Sequence, residues 1–129
     1  MQADPARAFD WYLRAAEAGD ATAVLAVSNC YRNGTGTRED PKLAFEWDLR
    51  AAEAGEAAGM LNVGICYEEG YGVSADERQA FRWYRRAAEE GYDLGIYHLA
   101  LCYLSGKGTD RDEGQAFYWT RRQIGRAHV

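Results

Sequence analysis

A strict 36-residue period runs through this chain and limits its fold more than any other feature. Phe9, Phe45, Phe81 and Phe117 keep that step, and so do Trp11, Trp47, Trp83 and Trp119. Ala8/Ala44/Ala80/Ala116, Cys30/Cys66/Cys102 and Tyr31/Tyr67/Tyr103 follow it, as do the glycine pairs Gly34 and Gly36, Gly70 and Gly72, Gly106 and Gly108. No insertion breaks the register, and 129 residues hold about three and a half units. A period of this length marks stacked supersecondary units. One such unit cannot bury its own apolar face and is stable only against its neighbours.

Each unit reads as two helices. The first, helix A, is expected over 20–33, 56–69 and 93–105. Val24, Val27, Ser28 and Tyr31 fall at i, i+3, i+4 and i+7, as do Met60, Val63, Gly64 and Tyr67, then Ile96, Leu99, Ala100 and Tyr103. The small residues Ser28, Gly64 and Ala100 suit close approach of a neighbouring helix. Gly34, Gly70 and Gly106 then stop helix A by taking a left-handed conformation. Helix B starts behind Asp4, Asp40, Asp76 and Asp112, which can accept from free first-turn N–H groups. Pro5 and Pro41 follow as first helical residues. Gln79 and Gln115, three residues after their Asp, suggest a capping box. Helix B ends at Gly19, Gly55 or Gly91. Arg14/Glu17, Arg50/Glu53 and Arg86/Glu89 are spaced to pair at i,i+3 on a solvated face. The four tryptophans, one per unit, are expected in the core.

Composition narrows the function classes. With 15 Lys+Arg against 20 Asp+Glu the net charge is −5, which disfavours a nucleic-acid binder. The 47% hydrophobic content supplies a core. The longest uncharged run, Leu94 to Gly106, is shorter than the roughly 18–20 apolar residues a membrane span needs. Asp4 and Arg7 interrupt the N-terminus before a signal peptide could form.

The frame Ala-x-x-x-Val-Gly-x-x-Tyr-x-x-Gly-x-Gly-Val, seen best from Gly59 to Val73, joins Ala-Phe-x-Trp-Tyr-x-Arg-Ala-Ala-Glu-x-Gly from Ala80 to Gly91. Together they closely resemble the Sel1-like repeat, a relative of the tetratricopeptide repeat, over about Asp4 to Gln123. The resemblance implies an all-α, right-handed α-solenoid whose helix A residues line a concave surface. It implies an adaptor or scaffold, not an enzyme, in a family common in bacteria and present in eukaryotes. Asp48 and Thr120 depart from the pattern by replacing the second aromatic of helix B, so looser packing is expected there.

One domain is expected over 1–123: a partial unit at 1–19, units at 20–55 and 56–91, and a shortened unit at 92–123. The opening on a helix B without its helix A suggests a piece of a longer array with further repeats. After Gln123 the period fails. Residues 124–129 back-translate as ATCGGAAGAGCACACGTC, which resembles a sequencing adapter, so they are read as a non-native tail that includes His128.

Three cysteines occupy one slot in successive units, about 10 Å apart if the units stack. A disulfide needs Cα atoms within about 7 Å, so buried free thiols are expected, and they favour a reducing, cytoplasmic setting. His98 and Cys102 lie at i,i+4, yet no orienting group or oxyanion site accompanies them. Two ligands are too few for structural zinc, so neither a metal nor another cofactor is expected. The Gly-x-Gly loops follow a helix rather than a strand, which excludes a dinucleotide fingerprint.

The variable face of helix A remains. It carries Thr22, Leu25, Asn29 and Arg32, then Ala58, Leu61, Ile65 and Glu68, then Leu94, Tyr97, Leu101 and Leu104, bordered by Ala26, Asn62 and His98. A protein or peptide partner is expected to dock there, with Leu25, Asn29, Arg32, Leu61, Asn62, Ile65, Glu68, Tyr97, His98, Leu101 and Leu104 as contacts. A further hairpin covering Tyr97, Leu101 and Leu104 is the competing account of that apolar end. Two other roles stay open: a hydrolase, because some cysteine-rich relatives are linked to β-lactam hydrolysis, and a passive spacer.

Overall fold

The computed structural model describes residues 4–127 and contains only helices among them, which make up 75% of that span. They are α1 (Pro5–Glu17), α2 (Ala21–Asn33), α3 (Pro41–Glu53), α4 (Ala57–Glu69), α5 (Glu77–Glu89), α6 (Asp93–Ser105) and α7 (Glu113–Ala127). Each helix packs against the next in sequence, and α4 also meets α6. This is a solenoid of helical hairpins with α2, α4 and α6 as helices A and α1, α3, α5 and α7 as helices B. The period predicts all seven. α7 continues to Ala127, past the point where the repeat pattern stops, while His128 and Val129 lie outside the described residues.

Capping follows the sequence with one difference. Asp4, Asp40, Asp76 and Asp112 each accept from first-turn amides, for example Leu43 N at 3.1 Å and Gln115 N at 3.0 Å. The expected capping box does not close. The amides of Asp40, Asp76 and Asp112 instead donate to the carbonyls of Tyr31, Tyr67 and Tyr103, each at 2.8 Å. A tertiary bond tying helix B to the preceding helix A has taken the donor that the glutamine side chain would have used.

The hairpins lock together through the glycine loops and the aromatic ladder. A Cβ on Gly36, Gly72 or Gly108 would lie 2.1 Å from the carbonyl oxygen of Pro5, Pro41 or Glu77, and all three glycines have positive φ. Only glycine lets each loop rest on the first turn of the preceding helix B. Beside that contact Phe9, Phe45 and Phe81 meet Tyr31, Tyr67 and Tyr103 edge to face at 5.3, 5.5 and 5.3 Å.

The tryptophans face the other way along the array. Trp47 packs with Ala16 of α1 and with Ala23 and Val27 of α2, the two helices before it. Trp47 and Trp119 are buried and Trp83 is half-buried, but Trp11 is 65% exposed, contrary to the expectation of a core residue. No hairpin precedes α1 among the described residues to cover it. The expected Arg–Glu pairs on helix B are also replaced. Arg50 and Arg86 each lie over the ring of Trp47 and Trp83 at 4.3 Å, and Arg122 lies over Trp119 at 5.1 Å. A guanidinium on an indole face gains a cation–π contact that an exposed carboxylate does not match.

Candidate functional site

The helix A face carries two polar clusters one repeat apart, built from equivalent positions with different chemistry. In the first, α3 buries Asp48 completely. Its carboxylate accepts from Asn62 Nδ2 at 3.2 Å, from the Arg32 guanidinium, and from the Ser28 hydroxyl at 2.6 Å. The Ser28 proton is shared with the Ala44 carbonyl at 3.0 Å. A buried carboxylate is tolerated only with partners of this kind. The position expected to pack loosely is therefore filled by a satisfied ion pair.

Arg32 is the hinge between this network and the surface. It also donates to Asn29 Oδ1 at 3.2 Å, reaches Cys66 Sγ at 3.9 Å, and lies 5.8 Å from the Tyr71 ring centroid. Burial by itself would lower its pKa, but the Asp48 charge and hydrogen bond outweigh that and raise it. Around Arg32, the residues Asn62, Ile65, Cys66, Glu69 and Tyr71 enclose a cavity of about 310 Å³.

In the next unit Tyr84 replaces Asp48, Gly64 replaces Ser28, Glu68 replaces Arg32 and His98 replaces Asn62. Tyr84 is fully buried, donates its hydroxyl to Glu68 at 2.9 Å, and stacks on His98 with centroids 4.8 Å apart. Its ring lies where a Gly64 Cβ would be, 2.6 Å from Tyr84 Cε1. Four positions have thus changed as a set. A long ring demands glycine opposite it, and a short carboxylate leaves room for a serine hydroxyl. A second cavity of about 340 Å³ opens here between Glu68, Tyr97, His98, Leu101, Cys102 and Lys107.

These paired hairpins, with their glycine loops in strict register, match a known family. The Sel1 repeat model fits residues 1–20, 21–56, 57–92 and 94–122. The chain belongs to the Sel1 repeat family. Among solved structures it is similar to a Sel1 repeat protein from Oxalobacter formigenes, at 31% identity and a TM-score of 0.87, over 95% of this chain and 50% of that one. It is also similar to c5321, a protective antigen of uropathogenic Escherichia coli with an SLR fold, at 31% identity and a TM-score of 0.90, over 95% of this chain and 26% of that one. Helicobacter pylori cysteine rich protein B shares the fold at 23% identity and a TM-score of 0.71, covering 92% of this chain and 84% of that one. No curated protein matches the chain. It therefore spans half the length of the first of these solved chains and about a quarter of the second.

Within the Sel1 repeat frame the residues expected on the binding face divide by position. Asn29 and Glu68 are exposed, while Leu25, Arg32, Asn62, Ile65 and His98 are half-buried. Tyr97, Leu101 and Leu104 are exposed on α6 at 56%, 43% and 48%. Leu61 is the correction: it is only 6% exposed and belongs to the core cluster with Tyr84, Ile96 and Leu99. Tyr97 holds the same repeat position as Leu61 but has no following helix A against it among the described residues. Sequence reasoning gave Ser28, Asp48 and Cys66 packing roles only and passed over Glu69, Tyr71 and Lys107. The signal was there in the matched departures Ser28/Asp48 against Gly64/Tyr84.

The cysteines are inert by their surroundings. All three are free and buried. Burial, reinforced by Asp48, pushes the Cys66 thiol up to about 11, and burial with Glu68 does the same to Cys102. Both are neutral thiols at ordinary pH and poor nucleophiles. Burial lowers the pKa of His98, whose ring is occupied by Tyr84 on one side and Tyr97 on the other. Among the described residues no group of three or more His, Cys, Asp or Glu could hold a metal ion. No described helix is long and apolar enough to cross a membrane.

Proposed function

We propose that this chain acts as a scaffold for protein–protein interaction, as Sel1 repeat proteins generally do, and receives an extended segment of a protein partner across its helix A face. The observation that carries the reading is the pair of repeat-related cavities. Arg32, Asn62, Ile65, Cys66 and Tyr71 of one become Glu68, His98, Leu101, Cys102 and Lys107 of the next. Neighbouring hairpins stand about 10 Å apart, so a segment in the polyproline II conformation, with three residues per turn and about 3.1 Å of rise each, offers same-face side chains to both cavities at a spacing of three residues. Exposed Tyr97 and Leu101 give that segment an apolar anchor point, and Arg32 and Glu68 set its polarity. Asn29, Asn62, Ile65, His98 and Leu104 complete the contact face, with Leu25 at its edge. Leu61 is left out because it is core.

A displayed peptide library selected against the protein tests this. Enriched peptides are expected to share residues about three apart. They should lose binding to the Tyr97→Asp, Leu101→Asp double variant while its far-UV circular dichroism stays unchanged. Enriched peptides that bind this variant as well as the parent, or no enrichment at all, would overturn the proposal.

A further inference from the structure

α5 differs from the other helices B on its exposed face. Its 13 residues carry Arg78, Arg82, Arg85 and Arg86, in a chain of net charge −5. The four arginines surround one open cavity of about 550 Å³ with Phe81, Gly108 and a single carboxylate, Glu89.

The repeat itself shows which of these arginines the fold uses. Arg86 lies on Trp83 just as Arg50 lies on Trp47, so it belongs to the common hairpin. The other three do not. Position 78 is Ala6 and Lys42 in the preceding helices B, position 82 is Asp10 and Glu46, and position 85 is Leu13 and Leu49 there but Arg121 in α7. Arg85 meets Glu89 at 3.7 Å, with both side chains 54% exposed, a pair of little energetic weight. Arg78 and Arg82 make no hydrogen bond, ion pair or ring contact among the described residues. No other helix B carries cations at all three places, so the hairpin folds without the set. Their convergence on one cavity calls for a ligand outside the hairpin.

We propose that this face of α5 is a second interaction surface, separate from the helix A cavities, and that it docks an acidic segment of a partner protein. Carboxylates of that segment would take Arg78, Arg82 and Arg85, whose planar forks match a carboxylate edge. Half-buried Phe81, fixed edge to face on Tyr103, offers an apolar floor for one aliphatic or aromatic side chain among them. A peptide fits better than a nucleic acid. The adjoining cavity at Arg78 and Gly108 is rimmed by Glu77 and Asp110, and the chain as a whole is acidic. A phosphate backbone continuing past the arginines would run against Glu77 and Asp110, whereas a peptide can place its few carboxylates on Arg78, Arg82 and Arg85 alone.

The test uses the full chain and a short fluorescein-labelled peptide of Glu residues around a single Phe, with a Gln-substituted peptide as control, read by fluorescence anisotropy. The acidic peptide is expected to bind and the Gln peptide not to. Affinity should fall several-fold between about 50 and about 300 mM salt as screening shortens the reach of charge. Arg78→Glu with Arg82→Glu should weaken binding by at least about tenfold, the scale of losing one charge-assisted contact. Arg7→Glu with Arg38→Glu, equal in net charge, should match the parent, and so should the Tyr97→Asp, Leu101→Asp variant. Failure of the acidic peptide to bind would overturn the proposal, as would equal losses in the two double-reversal variants. Tighter binding of a single-stranded oligonucleotide or of phosphatidylserine vesicles than of the peptide would also overturn it.

Discussion

Asp48→Ala is the perturbation that most directly probes how these hairpins tolerate a charge between them. The wild-type side chain is fully buried and satisfies three donors, Ser28, Asn62 and Arg32. Two of the three survive its loss. Ser28 keeps the Ala44 carbonyl at 3.0 Å, and half-buried Asn62 can turn to water. Arg32 does not, because its side chain is only 28% exposed and Asp48 is its one carboxylate among the described residues. Breaking a buried pair costs about 3–5 kcal/mol, and the partial access of Arg32 to water puts this case near the lower end, about 3 kcal/mol. Asp48→Tyr should cost at least as much, because the ring would meet Ser28 just as a Cβ on Gly64 would meet Tyr84 at 2.6 Å. Adding Ser28→Gly and Arg32→Glu installs three of the four residues of the neighbouring unit's set, with Asn62 kept in place of a histidine. The triple variant is expected to recover all but about 1 kcal/mol. Urea unfolding followed by far-UV circular dichroism measures each difference at constant slope. A loss below about 0.5 kcal/mol for Asp48→Ala, or an Asp48→Tyr variant no less stable alone than with Ser28→Gly, would refute the reasoning.

Other expectations follow from the same contacts. Trp47→Ala, at a buried site, should lower stability by about 3–5 kcal/mol in urea unfolding, while Trp11→Ala, at a 65% exposed one, should cost less than about 1 kcal/mol. With thiols at about 11, roughly one part in a thousand of Cys66 and Cys102 is thiolate at about pH 8. Iodoacetamide should therefore label them slowly until the fold is opened with denaturant, as mass spectrometry would show. His98 has a folded pKa below its ordinary 6.5, so protonation favours the unfolded chain. Its contribution to stability is complete above the unfolded value and is lost as pH falls through it. Thermal melts should decline in stability from about pH 7 to about pH 5, and His98→Gln should make that decline shallower.

Much of the fold was legible because it is written in local spacing. The aspartate caps, the glycine stops and the 3.6-residue stripe act within one helix, and the 36-residue register carries them from unit to unit without an alignment. The Phe and Tyr positions were legible for the same reason, but their edge-to-face contact joins two helices and came only with the structure. Readings that assumed only one helix at a time were among those corrected. Gln79 and Gln115 lost their partner amide to a tyrosine carbonyl on another helix, and the arginines of helix B chose an indole over a glutamate. The candidate site was legible only in outline. Arg32, Asn62, Glu68 and His98 were picked from the variable face, but the residue that organises Arg32 lies on another helix and looked like a defect.

The sequence by itself determined the hairpin, its length, its caps and the order of stacking, because these depend on residues near one another or repeated in step. Only the tertiary structure decided which side chains are covered. Leu61 and Tyr97 share one repeat position, yet the first is core and the second is exposed, because among the described residues a following helix A packs over one and not the other. Asp48 became the buried centre of a network for a related reason. Burial and charge pairing depend on how closely the next hairpin approaches, and that distance is a property of the packed array, not of any single stretch of chain.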